Sequence, residues 1–429
     1  MTSPETTISV LCLALSMLAA CGGGTESTAS GGAGGEGATS SSGGTGGAGG
    51  DGGTALGGGG MGGAGGGDAA IVWLPTDSLG SSRMRHTATL LDDGRVLVAG
   101  GENLAGTALA TTELFDPATD QWTAGPPLTT PHVNHAAVKL ADGRVAIMGS
   151  GETSNNGLPT GTGVSDVVDV FDPTTNSITA GPTLLHARGH HQAVRLDDGR
   201  VLVAGGTAEG GDNVYAAEAL SSDGTTWAEA GTIQIGRSLF GLAKRTSGDV
   251  VIAGGLGSGL LNRAEIFDPT NDSWTSLPNM GLPRMYVALG PLASGGVLAV
   301  GGIAGNNLFT NTAERLLPDA SAWEAAPSLP SSGEEEILGG TGMSLVPLSD
   351  GSLLAVGGYG VSFGNYGPGE FSGIYDEDAA AWTRVGKLDL PRGSAAAIQL
   401  NDGRVLLIGG LGISNGATTS CSITEDAVL

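Results

Sequence analysis

Three histidines, His86, His135 and His191, each stand eight residues before the glycine of an Asp-Gly turn. Imidazole nitrogens converging from equivalent positions form a donor set that a divalent transition metal accepts, so the three make a weak candidate metal cluster. Polar packing around a wet channel is the competing reading, because Phe240, Val287, Met343 and Ala395 fill the same position elsewhere in the chain. A second group joins the acidic run Glu334, Glu335 and Glu336 to Tyr359, Phe363, Tyr366 and Phe371, four of the 18 aromatic residues within one short stretch. Aromatic faces with carboxylates nearby suit a sugar, whose C–H faces stack, or a cationic peptide. These seven residues are the candidate ligand-binding set; the alternative is that the aromatics pack a long loop onto its scaffold. A third reactive group is Cys21, at the end of an apolar run from Ile8 to Ala20. No Ser-His-Asp constellation, phosphate loop or zinc signature is present, so no catalytic residue and no cofactor is assigned.

The elements that must hold these groups begin after a long preamble. The run Ile8 to Ala20 is too short for a membrane-spanning helix of about 20 residues and reads as a cleaved export signal over residues 1–20. Residues 21–67 follow with Gly, Ser, Thr and Ala and almost nothing able to bury surface. Such a segment is expected to be a disordered tether spanning roughly 35 to 40 Å. Of the 429 residues, 79 are glycine, and 25 of those fall between positions 22 and 67. The glycines of residues 68–429 need a separate, structural cause. A formal charge of −25 excludes a nucleic-acid binder built on a basic face. With Cys12 in the removed segment and Cys21 at its end, Cys421 is left alone, and the fold must be held by its core rather than by a disulfide.

That structural cause is a repeat of about 50 residues. Its clearest copy has an apolar run Thr87 to Leu91, the turn Asp92-Asp93-Gly94, a second run Arg95 to Ala99 and the doublet Gly100-Gly101. An Asp-Gly turn between two strand-length runs predicts a hairpin with a two-residue type I′ turn. Seven copies register on the turn glycines Gly94, Gly143, Gly199, Gly248, Gly295, Gly351 and Gly403. All six tryptophans fall on one repeat position: Trp73, Trp122, Trp227, Trp274, Trp323 and Trp382. Ten residues after that position come Arg83, Arg188, Arg237, Arg284 and Arg392, with His132 as a substitute. The acids Glu113, Asp169, Glu218, Glu265 and Glu314, nine residues before the Trp position, are expected to pair with these arginines or with backbone. The sixth copy departs from the register in both its glutamate run and its long loop from Tyr359 to Phe371.

A glycine doublet, an acidic residue and a tryptophan in this order resemble the kelch repeat, over residues 68–429. The resemblance implies an all-β, seven-bladed kelch β-propeller, closed by the N-terminal strand Ile71 to Leu74, which completes the last blade. Leu18-Ala19-Ala20-Cys21 resembles the lipobox of bacterial lipoproteins. By that resemblance Cys21 becomes a lipidated N-terminus and the only membrane attachment, and Gly22 in place of an aspartate directs the protein to the outer membrane, on a side left open. Kelch propellers include the copper-radical galactose oxidases, whose site pairs a Tyr directly with a following His. None of the five tyrosines here precedes a histidine. The expected function is therefore a lipid-anchored, monomeric, non-catalytic module binding a protein, peptide or glycan on its loop face. The alternatives are a degenerate galactose-oxidase-like oxidoreductase and a structural cell-envelope protein.

Overall fold

The computed structural model describes residues 71–153, 157–305, 308–330, 341–362, 365–412 and 418–424. The described chain is all-β: among these residues the helical content is one 3₁₀ turn at Glu209–Gly211. Six four-stranded sheets, one five-stranded sheet and one small three-stranded sheet are present, and every strand pair is antiparallel. The first sheet shows the unit. Its strands β1 (Thr87–Leu90), β2 (Val96–Ala99), β3 (Thr112–Asp116) and β4 (Gln121–Ala124) pair in chain order. This architecture of repeated four-stranded antiparallel sheets is the one expected of a kelch-type propeller.

Second strands are the most apolar and the most buried. Val96–Ala99, Val201–Ala204, Val250–Ala253 and Val405–Ile408 each bury all four side chains. Their residues are apolar without alternation because both faces of the strand meet another sheet. The cores accordingly lie between sheets. One joins Val96, Val98 and Phe115 of the first sheet to Leu406 and Ile408 of the last. Others join Leu97 to Ile147, Val203 to Met148, and Phe240 to Leu202 in the same manner. The apolar residue six after each Trp position, from Leu79 and Leu128 to Leu329 and Leu388, is buried in these seams.

The last four-stranded sheet is assembled from both ends of the described chain. Trp73–Pro75 pairs antiparallel with Cys421–Thr424, with Trp73 opposite Thr424 and Pro75 opposite Ser422. First strands stand beside one another from sheet to sheet, and the last of them, Ala396–Gln399, neighbours Thr87–Leu90. The same junction carries a hydrogen bond from Arg404 Nη2 to Pro117 O at 3.1 Å and one from Gly410 N to Arg83 O at 3.0 Å.

Two expectations are corrected. The Asp-Gly hairpins do not use a two-residue type I′ turn. Leu91 N donates to Arg95 O and Gly94 N donates to Leu91 O, leaving three residues in the loop. Only the third, Gly94, is left-handed, at φ 89°. A three-residue hairpin places one residue in that region instead of two, so Gly94 alone fills it and Asp93 stays outside it. The stretch Tyr359 to Phe371 is also not a plain loop. The strand Leu353–Ser362 runs on past the sheet and folds back through Asn365–Pro368, pairing Tyr359 with Pro368 and Val361 with Tyr366.

The glycine doublets permit close approach. A Cβ on Gly100 would collide with His132 O of the next sheet, and one on Gly101 would lie 2.6 Å from Met84 O. A side chain on Gly100 would push away the connection to the next sheet, and one on Gly101 would disrupt the backbone pairing of Met84 with Glu102 in its own sheet.

Candidate functional site

The recurrent arginines form buried hubs. Arg188 is 0% exposed and donates from Nη2 to Glu218 at 2.7 Å and from Nη1 to Gly205 O at 2.9 Å. The other oxygen of Glu218 accepts Leu185 N at 2.6 Å, from the connection arriving from the previous sheet. Arg83 with Glu113, Arg237 with Glu265, and Arg284 with Glu314 repeat the pattern. Each hub therefore ties together a doublet carbonyl, a third-strand acid and an incoming connection. Burial pushes these guanidinium pKa values down while the partner carboxylate pushes them back up.

Two hubs vary as pairs. In the second sheet the shorter His132 and Asp169 stand 3.3 Å apart, and His132 Nδ1 bonds Gly149 O at 2.6 Å, as the arginine does elsewhere. In the seventh, Ser422 occupies the acid's place and Asp389 supplies the carboxylate from the connection, bonded to Ser422 Oγ at 2.5 Å. The acids and arginines are thus architectural, and their recurrence reflects the sheet junction they hold.

His86, His135 and His191 are buried, each ring lying against the first doublet glycine of the preceding sheet: Gly409, Gly100 and Gly149 respectively. Phe240 and Val287 take the same seat over Gly205 and Gly254. Among the described residues no group of three His, Cys, Asp or Glu is placed to hold a metal ion. Burial, followed by the Arg83 charge, holds His86 at about 3; burial, then Arg188 and neighbouring histidines, holds His191 at about 3. His135 is pushed well below its usual value by burial and by His132, His191 and His86. These imidazoles are neutral, and His86 and His191 have no hydrogen-bond partner for either ring nitrogen among the described residues.

The candidate ligand set is only partly brought together. Glu334, Glu335, Glu336, Phe363 and Cys21 lie outside the described residues. Tyr366 lies in the returning arm of the sixth-sheet hairpin. Tyr359, at its base, rests on the next sheet, where a Cβ on Gly393 would collide with Tyr359 Cε2. Phe371 is corrected: at 0% exposure it belongs to the core, with Arg384 Cζ 5.6 Å from its ring centroid, and cannot face a ligand.

The tryptophans cap the seams. Trp227 Nε1 donates to Pro182 O at 2.9 Å and Trp323 Nε1 to Pro278 O at 2.8 Å, each reaching the connection that precedes its own sheet.

Sequence reasoning missed the position one residue before the histidines, where Arg85, Asn134, His190 and Tyr286 stand. Counting nine residues back from each turn glycine finds them. It also missed a polarity between the two ends of the sheets. Leu104, Leu185, Tyr215, Leu282, Leu308 and Leu390, exposed by 40% to 65%, all lie in the connections that join second to third strands or one sheet to the next, Leu308 in the short strand Leu308–Phe309. Apart from these, the exposed large apolar side chains among the described residues are Leu74, in the outermost strand of the last sheet, and Val72, just before it.

Comparison with known proteins agrees with this architecture. The Kelch motif family matches residues 83–129 and 246–281. Beta-scruin of Limulus polyphemus is 26% identical over 214 residues, which is 48% of this chain and 23% of that protein. The chain thus spans about a quarter of that relative's length. Among solved structures, a fungal alcohol oxidase of the AA5 family, in complex with copper, shares the fold with a TM-score of 0.63 at 16% identity, covering 83% of this chain and 76% of that one. The residues here do not fit a copper-radical site. No tyrosine precedes a histidine, and Cys421 is buried in its strand with its thiol pushed up to about 12, chiefly by burial.

Proposed function

We propose that the chain is a seven-bladed propeller, closed by its own two ends, that acts as a non-catalytic interaction module and presents its loop end to a protein, peptide or glycan. The observation that carries this reading is the clustering of the six exposed apolar side chains at one end, while the turn end carries aspartates bonded to their own backbone. Isolated exposed leucines are ordinary, but six of the eight exposed large apolar side chains among the described residues lie at this end, the other two being Val72 and Leu74. Closure draws support from the pairing of Trp73–Pro75 with Cys421–Thr424 and from the Arg404 bond to Pro117. Kelch motif matches at two separate places support repetition of one unit around the ring.

Export and anchoring complete the proposal. Lipidation at Cys21 would attach the module to the outer membrane through residues 21–67, each buried methylene contributing ~0.8 kcal/mol. A Cys21→Ser variant should then leave the membrane fraction; retention there would remove the anchor from the account.

Glycan and peptide arrays probed with the wild type and with a Leu104→Ser, Leu282→Ser, Leu308→Ser variant test the binding face. Loss of captured ligand in the triple variant, with melting temperature unchanged, supports it. Equal binding by both proteins would move the site elsewhere. Tyr359→Ala and Tyr366→Ala ask in the same arrays whether the sixth-sheet hairpin contributes.

A further inference from the structure

Among the described residues, seven buried apolar clusters lie between sheets that follow one another, the last sheet standing beside the first. An eighth breaks this order. Leu239 and Leu260 of the fourth sheet pack at the loop end with Met285, Tyr286 and Ile303 of the fifth, and Leu158 of the second sheet packs against them. Leu158 thus bypasses the third sheet.

The arm that carries Leu158 joins the second and third strands of the second sheet. Its two sides pair through Glu152 N to Thr162 O at 2.9 Å and Thr160 N to Glu152 O at 3.2 Å, and Thr162 Oγ1 donates to the Glu152 carboxylate at 2.8 Å. The arm is therefore tied to itself. Over the third sheet it meets Gly210, whose N–H donates to Gly161 O at 3.0 Å. Elsewhere it is held from one repeat position, nine residues before each turn glycine, where the backbone is left-handed: Asn134 (φ 49°), His190 (56°), Leu239 (55°) and Tyr286 (54°). Asn134 Nδ2 donates to Gly151 O and to Thr153 Oγ1, both at 2.8 Å, and His190 Nε2 lies 3.1 Å from Thr153 Oγ1. Leu239 shares the cluster of Leu158, and Tyr286 donates its hydroxyl to Gly157 O. Glycine would take this φ freely, so four successive sheets keep strained side chains that converge on one arm.

The seat under Leu158 is built without the arm. Met285 and Ile303 are buried and stand opposite each other in the short paired strands Arg284–Met285 and Ile303–Ala304. What the arm gives this seat is what any extended peptide could give: one aliphatic side chain and one backbone carbonyl. Leu158 is only half-buried, and Pro159 after it confines it to extended conformations. An aliphatic anchor in an apolar seat, with a main-chain group bonded beside it, is a recurrent way to read a peptide.

We propose that this seat between the fourth and fifth sheets binds an extended, uncharged segment of a partner protein carrying leucine before proline, and that the chain's own Gly157-Leu158-Pro159 fills it until the partner displaces it. This role rests on the loop-end interaction reading and adds regulation to it. The seat is open only in the fraction of molecules whose arm is lifted, and the apparent affinity is reduced by that fraction. Leu104, Leu282 and Leu308 lie outside the cluster, so their test and this one can fail separately.

The probe is acetyl-Gly-Leu-Pro-Thr-Gly-amide, which copies residues 157–161, titrated into the full chain by calorimetry and followed at the Met285 methyl resonance. Leu158→Ser removes the anchor from the arm and leaves the seat intact. It should bind the probe at least tenfold more tightly than the wild type, with a shifted Met285 signal and an unchanged circular dichroism spectrum. A probe with serine in place of leucine should bind this variant at least tenfold more weakly. Should Leu158→Ser misfold, Leu158→Ala is expected to tighten probe binding severalfold. Equal affinity of wild type and a folded Leu158 variant, no saturable binding to that variant, or equal binding of the serine probe overturns the proposal. Any of these, with ligand capture still lost in the Leu104, Leu282 and Leu308 triple variant, removes the seat and leaves the loop-end reading standing.

Discussion

The two ends of the sheets are built by opposite rules. At the turn end, Asp93, Asp142, Asp198 and Asp402 each accept the backbone N–H two residues on, so four sheets repeat one contact. The arginine that donates it then reaches the next sheet: Arg95 to Pro173 O, Arg144 to Asp223 O and Arg200 to Pro269 O. Residue identity there is dictated by the backbone. At the loop end, the backbone repeats with equal fidelity in the left-handed residues and doublet glycines, yet the side chains it carries differ from sheet to sheet. Constant geometry with variable side chains is what a recognition surface needs, and constant geometry with constant side chains is what a frame needs.

The largest expected effect lies in the hubs beneath the loop end. Arg188→Met leaves the buried Glu218 without its counter-charge and should cost about 3–5 kcal/mol in urea unfolding, while adding Glu218→Leu should recover most of it. A single-variant cost below about 1 kcal/mol would mean that the hub does not hold the junction. By contrast, Arg144→Ala at the turn end breaks a half-exposed pair with Asp142 and should cost under about 1 kcal/mol.

Acid should weaken the loop end next. The folded pKa of His86 and His191 is about 3 and that of His190 about 4, all below the ordinary value near 6.5. A base whose folded pKa is depressed binds its proton in the unfolded chain first. Stability is therefore fully present above about pH 6.5 and is lost as pH falls from there toward 3 to 4. The slope is about 1.4 kcal/mol per pH unit for each histidine involved. Chemical denaturation at pH 7, 5.5 and 4.5 measures it, and His191→Phe, which copies Phe240 in the equivalent seat, should flatten the slope.

Smaller and opposite in sign are two backbone substitutions. Gly94→Ala, at φ 89°, should destabilise the turn end by about 1 kcal/mol. Ser394→Gly, at φ 51°, relieves a strained residue and should be neutral or stabilising by under about 1 kcal/mol. Destabilisation by Ser394→Gly comparable to that of Gly94→Ala would show that the side chains at these left-handed positions serve packing.

Much of the frame was legible in the sequence because it depends on side-chain identity. Asp before Gly marks five of the seven hairpins, with Ser247 and Ser294 in the other two, Trp marks six of the seven seams, and Arg with an acid about thirty residues on marks most hubs, as in Arg188 and Glu218. The exchange of Arg and Glu for His132 and Asp169 was visible as a substitution, but its pairing became clear only in three dimensions. The left-handed positions were not legible for a physical reason: a left-handed φ at Arg85, Leu239 or Tyr286 leaves no residue-type signature, since each is an uncommon occupant. Phe371 misled in the opposite direction. Its place in an aromatic-rich stretch suggested exposure, but it opens the third strand, whose side chains fill the seam.

The most direct test of the loop-end account is site-specific photo-crosslinking in the cells that make the protein, comparing probes at Leu104, Leu308 and Tyr215 with probes at Asp142, Asp198 and Asp350. Discrete adducts from the first three positions and none from the others are predicted. Adducts confined to the turn-end positions, or equal at both ends, would contradict the assignment of the loop end as the interaction surface.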